Sequence, residues 1–570
     1  MQCLINDLKK LKESASEAVE TLESFSEFKK YMHIKRKIED ELLATITKAN
    51  VLEGPQLILV CGGVGDGKSH LISYLKDKNP GLFYNFNLHN DATESDEPTM
   101  TAMETLKKKF RPYNDDNIKI KSNEKLIVAI NLGTLNNFIN SDDGENYTIL
   151  KKYIETNRIL DTTIDLQTKE GEGLVNFHFV NFSDYHLFSL TENGAESKYL
   201  SQIIDKITIK EESNIFYNSY KKNCLECKIF EKCPVKYNYE FLCDSTKKNK
   251  LIEIIIEMLV KYKTMISTRS FFNFIYEILV AQQIDSLPSK KIKSVIANYT
   301  TDEIVNVLIK TIIFEHRKSN KIFKDLSNLD PLNKRSKNLD ETIIKFNTTK
   351  DVSSFIKNYK EINDNIFIKN LLSGDNESPI LSRYMLRSIE FSNRDSQHIY
   401  KDYINYLFYI NKNPKKAKNL FLLIRKGIYN WNGEIQGASK INIFPGKKQL
   451  KYKISKEFNI KSVIPNYERS EEILNKFYPN LLVKFSSNHF SVRFEIDFFL
   501  YELLHKITNG YKPNKKDYSK FVKFSNNVNK LISKGNQNSK VIIEDRLNNY
   551  NFDLEYDEFG DLNFTFGGGI

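Results

Sequence analysis

The stretch LILVCGGVGDGKSHLISYL, residues 57–75, restricts the fold more than any other in this chain. An apolar run of strand length enters a turn rich in glycine, and an amphipathic run leaves it. Gly62, Gly67, Lys68 and Ser69 satisfy the pattern G-x-x-x-x-G-K-[ST]. Glycines let such a turn aim its backbone N–H groups at phosphate oxygens. The helix beginning near Lys68 offers its free N–H groups and positive end to the same anion. On this reading Gly62, Gly63, Gly65, Asp66, Gly67, Lys68, Ser69 and His70 bind ATP, with Lys68 reaching the β- and γ-phosphates and Ser69 ligating Mg²⁺.

Such a loop needs a parallel sheet around it, and the flanking sequence supplies one. Strand-like runs at 57–61, 82–88, 126–132 and 175–182 alternate with helical runs at 68–78, 98–111 and 147–156. The expected fold is an α/β P-loop NTPase core of the AAA-like, additional-strand type. A helical N-terminal segment precedes it, and a helical lid region and a C-terminal α+β domain follow. The chain has 570 residues, too many for one hydrophobic core. The expected boundaries are 1–52 for the N-terminal segment, 53–215 for the core, 216–250 for a cysteine-rich insertion, 251–425 for the helical domain and 426–570 for the C-terminal domain.

A second set of residues must hold Mg²⁺ and orient water. An acid is expected where a core strand ends, but LIVAIN ends at Asn131. The segment HNDATES offers Asp91, Thr93 and Glu94 instead, and the fourth strand ends at Ser183 and Asp184. Lys68, Asp91, Glu94 and Asn131 are therefore the catalytic candidates. Arg269 opens the amphipathic run RSFFNFIYEIL and is placed to act as a lid arginine, as are Arg383 and Arg387; each could equally lie along a helix surface.

Cys224, Cys227, Cys233 and Cys243 follow C-x2-C-x5-C-x9-C. Four soft thiolates suit Zn²⁺, with an iron–sulfur cluster as the alternative. Neither H-E-x-x-H nor G-x-S-x-G is present in the sequence, and the nine histidines form no nuclease-like group. No apolar run reaches the roughly 18 residues that span a bilayer. The charged start does not read as a secretory signal, so a cytoplasmic location is expected. Net charge is +11, which permits contact with DNA through KKIK (290–293), NKRSK (333–337), KNPKKAK (412–418) and KKQLKYKISK (447–456) without requiring it.

Several segments in this order, VCGGVGDGKSHLISYL, NDATES, INLGTLNNF, STRSFFNFIYEIL and LHKITNGYKPN, resemble the DptF (DndF) family of DNA phosphorothioation-dependent restriction proteins. The resemblance implies an ATPase of a bacterial anti-phage restriction system, working beside other subunits, one of them a larger helicase-like ATPase, on DNA that lacks a sulfur mark. It places the ATP site on Gly62, Gly65, Gly67, Lys68 and Ser69, and further polar motifs on Asn90, Asp91, Thr93, Glu94 and Asn131. Two other functions fit the residues: a nucleotide-dependent scaffold or switch that does not hydrolyse ATP, and a small-molecule kinase, which would not need the long helical and C-terminal regions.

Overall fold

A computed structural model describes residues 3–16, 27–93, 95, 97, 99–119, 122–160, 175–333, 337–348, 366–372, 379–392, 398–433, 440–443, 452–535, 539–545, 547–548, 550–557 and 561–569. The chain divides into two compact units, 1–189 with 196–395, and 190–195 with 396–570.

The first unit opens with three helices, α1 (Leu4–Ser16), α2 (Glu27–Met32) and α3 (Lys37–Val51). A four-stranded parallel sheet follows, from β1 (Gln56–Cys61), β2 (Phe86–His89), β3 (Lys125–Ile130) and β4 (Phe177–Asn181), in the order β2-β3-β1-β4. The sequence of β1 explains its central place. Every residue of QLILVC is buried, and a strand covered on both faces needs a continuous apolar run. Leu57, Leu59 and Cys61 join one cluster with Val128, Phe138 and Leu150. Ile58 and Val60 point the other way, to Leu42, Ile46 and Leu71. Helices thus cover both faces, an α/β arrangement. Each fully buried Leu or Ile contributes roughly 1.5–3 kcal/mol. Lys125 also serves this packing: its buried amine donates to Ala49 O at 3.0 Å, Asn50 O at 2.6 Å and Leu52 O at 3.1 Å, capping the end of α3.

The connecting elements are α4 (Lys68–Lys78), α5 (Pro80–Phe83), α6 (Ala102–Phe110), α7 (Leu132–Ile139) and α8 (Thr148–Thr156). The strand expected over 82–88 is shorter and later than the sequence suggested. Pro80 begins a helical turn through Phe83, because its ring fixes φ in the helical range, and only 86–89 pairs with β3. The run expected as strand to residue 132 ends at Ile130, where Asn131 caps α7.

Beyond β4, β5 (Tyr185–Thr191) and β6 (Gly194–Glu196) form a hairpin whose turn, 190–195, counts with the second unit. The first unit then becomes helical, through α9 (Lys198–Thr208), α10 (Ile215–Cys224), α11 (Pro234–Cys243), α12 (Ser245–Tyr262) and α13 (Thr268–Leu279) to Ser392. The run DEIVNVLIKTIIFE is two helices, 301–306 and 309–315. Buried Asn238 makes the break: its Nδ2 donates to Val307 O at 3.0 Å and its Oδ1 accepts from Ile309 N at 2.8 Å.

The second unit begins with helices His398–Lys412 and Lys418–Asn430, which the sequence suggested would close the preceding helical domain. It includes the short strand β10 (Leu474–Lys476) and two antiparallel sheets: β9 (Lys461–Val463), β11 (Leu481–Ser487) and β12 (Phe490–Ile496) in one, and β7 (Lys440–Asn442), β8 (Tyr452–Glu457), β13 (Val541–Asp545), β14 (Tyr550–Tyr556) and β15 (Leu562–Gly569) in the other. β11 alternates buried and less buried residues, the pattern of a sheet with one covered face. Among the described residues no helix is long and apolar enough to cross a membrane.

Candidate functional site

The glycine-rich loop leaves β1 at Cys61 and enters α4 at Lys68, at the carboxyl edge of the parallel sheet. Gly67 is the N-cap of α4 and lends no side chain to the first-turn N–H groups, which stay available to another acceptor. Lys68 Nζ donates to Gly62 O at 3.1 Å and Gly63 O at 2.7 Å. Asp66 Oδ2 accepts from Gly63 N at 2.6 Å, which holds the loop closed on itself. Burial lowers the Lys68 pKa, and the nearby charges of Asp66 and Asp91 oppose that shift.

The strand order brings the HNDATES segment to this loop. Ser69 Oγ donates to Asn90 O at 2.8 Å, joining the start of α4 to the end of β2. Asp91 Oδ1 accepts from Thr93 N at 2.9 Å and Thr93 Oγ1 at 2.6 Å, an Asx turn that positions the carboxylate. Asn90 Oδ1 is buried without a hydrogen-bond partner among the described residues. Glu94 lies outside the described residues. Asn131 follows Ile130, the register partner of Cys61, so it stands beside Gly62. Its Oδ1 accepts from Thr134 N at 2.7 Å as the cap of α7. On the other side of β1, Ser183 and Asp184 lie in a turn after β4, with Asn181 Nδ2 donating to Asp184 Oδ1 at 3.0 Å.

Arg269 also reaches the loop. Gly65 has φ +81°, and a Cβ placed there would lie 2.8 Å from Ser267 Oγ and 3.6 Å from Arg269 Cβ. The loop and the start of α13 therefore touch, and only glycine permits this approach. Arg269 Nε is buried with no hydrogen-bond partner among the described residues. Arg383 and Arg387 have other tasks. Arg387 is buried, with Nη2 2.7 Å from Asp330 Oδ2 and Nη1 2.6 Å from Glu315 Oε1, and Arg383 lies 3.9 Å from Glu315. That is an internal ion-pair group, with the carboxylates fixing the guanidinium.

Sequence reasoning missed the contribution of the N-terminal segment. His33 Nδ1 lies 3.1 Å from His70 Nε2, and His33 Nε2 lies 3.0 Å from Glu39 Oε2. His33 also stacks on Tyr74, with ring centroids 3.5 Å apart. Burial pushes the His70 pKa down to about 4, and the charges of His33 and Lys29 add to the effect. His33 gives no local signal of this in the sequence, because His70 is 37 residues away across β1.

The cysteines divide. Cys3, Cys224, Cys227 and Cys233 line one cavity, while Cys243 does not. Cys233 caps the N-terminus of α11 and Cys243 is its last residue. Ten residues of helix rise put the two roughly 15 Å apart, so they cannot share one ion. Cys243 Sγ instead faces Thr208 O at 3.8 Å. Among the described residues, no three His, Cys, Asp or Glu side chains converge as ligands of a single metal ion. No protein-family model matches this chain, and no curated protein matches it.

Proposed function

We propose that the chain binds ATP at residues 62–70 and hydrolyses it, as a subunit of a phosphorothioation-dependent DNA restriction complex. The observation that carries the ATP reading is the convergence of Lys68, Asp91 and Arg269 on one glycine loop at the carboxyl edge of a parallel sheet, where such sheets bind ligands. β3 lies between β1 and β2, so the acid-bearing strand is one removed from the loop, as the additional-strand arrangement requires. Lys68 would exchange two backbone carbonyls for the β- and γ-phosphates. Hard oxygen donors suit Mg²⁺, and Ser69 Oγ and the Asp91 carboxylate are the groups that would hold it. Bound Mg²⁺ would neutralise charge on the phosphates. Asp91 would orient the attacking water, and Arg269 would meet charge developing on the γ-phosphate.

The restriction part of the reading rests on the segments shared with the DptF family, and so do its partners, the helicase-like subunit and DNA. Lys68→Ala should abolish ATP turnover and, in cells carrying the whole system, restriction of unmodified DNA. Full restriction with that variant would sink the reading. A second reading is a nucleotide-dependent switch without hydrolysis. The uncharged Asn131 beside the loop, already engaged as a helix cap, favours it. Tight ATP binding with no release of phosphate, with and without partners and DNA, would select it.

A further inference from the structure

Cys3 stands just ahead of α1, more than two hundred residues from Cys224, Cys227 and Cys233, yet it faces the same cavity as they do. The local backbone explains how three of the four gather. Cys224 ends α10, and Cys227 N donates to Cys224 O at 3.2 Å in the turn that follows. Phe230 N then donates to Cys227 O at 2.9 Å, and Cys233 opens α11 ahead of Pro234. Two tight turns thus point C-x2-C-x5-C at one space. α1 packs against α10 and α13, which brings Cys3 to the open side. The cavity is partly open to solvent.

We propose that Cys3, Cys224, Cys227 and Cys233 bind a [4Fe–4S] cluster that staples the N-terminus of the chain to the cysteine-rich insertion. Each thiolate takes one iron of the cube, so the four sulfurs stand around a cavity rather than closing on a point. A lone Zn²⁺, with Zn–S bonds of roughly 2.3 Å, would draw its sulfurs to within about 3.8 Å of one another. Among the described residues, no three such side chains are grouped to hold a single metal ion. Four thiolates on a cluster carry net negative charge, and Lys236 and Lys293, two of the residues around the cavity, would offset it. Phe230, Ile292 and Ile296 make the rest of the wall apolar, which shields a cluster from water.

The test uses the full chain purified without oxygen and, separately, after reconstitution with iron and sulfide. The expected protein is brown and holds about four irons and four sulfides per chain. Cys3→Ser should lose at least half of that iron, while Cys243→Ser keeps all of it. In the wild type, mass spectrometry should find Cys3, Cys224, Cys227 and Cys233 shielded from iodoacetamide and exposed together once the iron is chelated, a readout that stands if Cys3→Ser fails to fold. One zinc per chain without iron, full iron in Cys3→Ser, loss of iron in Cys243→Ser, or no metal after reconstitution would each overturn the proposal.

Discussion

Gly65 and Gly67 offer a controlled pair, because both have positive φ, +81° and +94°, but only one is crowded. Alanine at either position costs about 1–2 kcal/mol for the left-handed backbone. At Gly67 the added methyl meets nothing within 4 Å, so the cost stops there. At Gly65 it lies 2.8 Å from Ser267 Oγ and 3.2 Å from Ser267 Cβ, so Ser267 must move. Ser267 caps α13 by accepting from Ser270 N at 3.1 Å, and losing such a cap costs about 1 kcal/mol. Gly65→Ala should therefore lose about 2–3 kcal/mol and Gly67→Ala about 1–2 kcal/mol. Urea unfolding followed by circular dichroism measures the totals. Amide exchange over 268–272 locates the difference, rising in Gly65→Ala and staying at the wild-type rate in Gly67→Ala. Equal losses, with unchanged exchange at the start of α13 in both, would refute the contact between the loop and that helix.

Two further outcomes follow from buried charge. His70 and His178 are held neutral, each with its pKa pushed down to about 4, chiefly by burial. The unfolded chain takes up protons from about pH 6.5 downward and the folded chain only near pH 4, so stability should be flat above pH 7 and fall as pH drops through that window. Each histidine contributes up to about 3 kcal/mol of the loss. Melting temperatures between pH 7.5 and 4.5 test this, and His178→Gln, which can still pair with Gln56, should flatten the slope; a slope unchanged in that variant would count against it. Arg387→Ala leaves the buried Asp330 carboxylate without its partner and should cost about 3–5 kcal/mol. Below its lowered melting temperature that variant should keep wild-type nucleotide affinity and turnover. An Arg387→Ala protein with normal stability and no turnover would make Arg387, and not Arg269, the lid arginine.

What could be read from the chain and what could not have different physical causes. β1 and β3 were legible because strands buried on both faces carry unbroken apolar runs. The hairpin of β5 and β6 was not, because residues such as Tyr185 and His186 are half-buried and break the alternation. α7 was hidden because INLGTLNNF reads as the tail of a strand until Asn131 is seen to cap a helix. The glycine loop was fully local, with all its groups in consecutive residues. Its surroundings were legible only as far as topology can be guessed: Asp91 follows from a strand end, whereas His33 and Ser267 arrive by packing. The cysteines show the same limit in reverse. Spacing alone grouped Cys243 with Cys233, and only the helix between them separates the two.

The neighbourhood of the loop bears local cost, and that bears on the proposed function. Arg269 is the only permanently charged side chain among the described residues with a buried polar atom left unpaired. A native fold ordinarily pairs such an atom, and leaving it orphaned costs about 1–3 kcal/mol or more. Asn90 Oδ1 is a second orphan, beside Ser69. Lys68 adds a further cost, a half-buried ammonium whose pKa burial has lowered. Arg387, at least as deeply buried, shows that this chain can satisfy an arginine fully when structure alone is at stake. An anion bearing several oxygens, held between Lys68 and Arg269, with a divalent cation between Ser69 and Asp91, would relieve these costs together. The proposed ATP with Mg²⁺ would give partners to the two unpaired atoms beside this loop, whereas others, such as Thr311 Oγ1 and Ser455 Oγ, lie elsewhere in the fold.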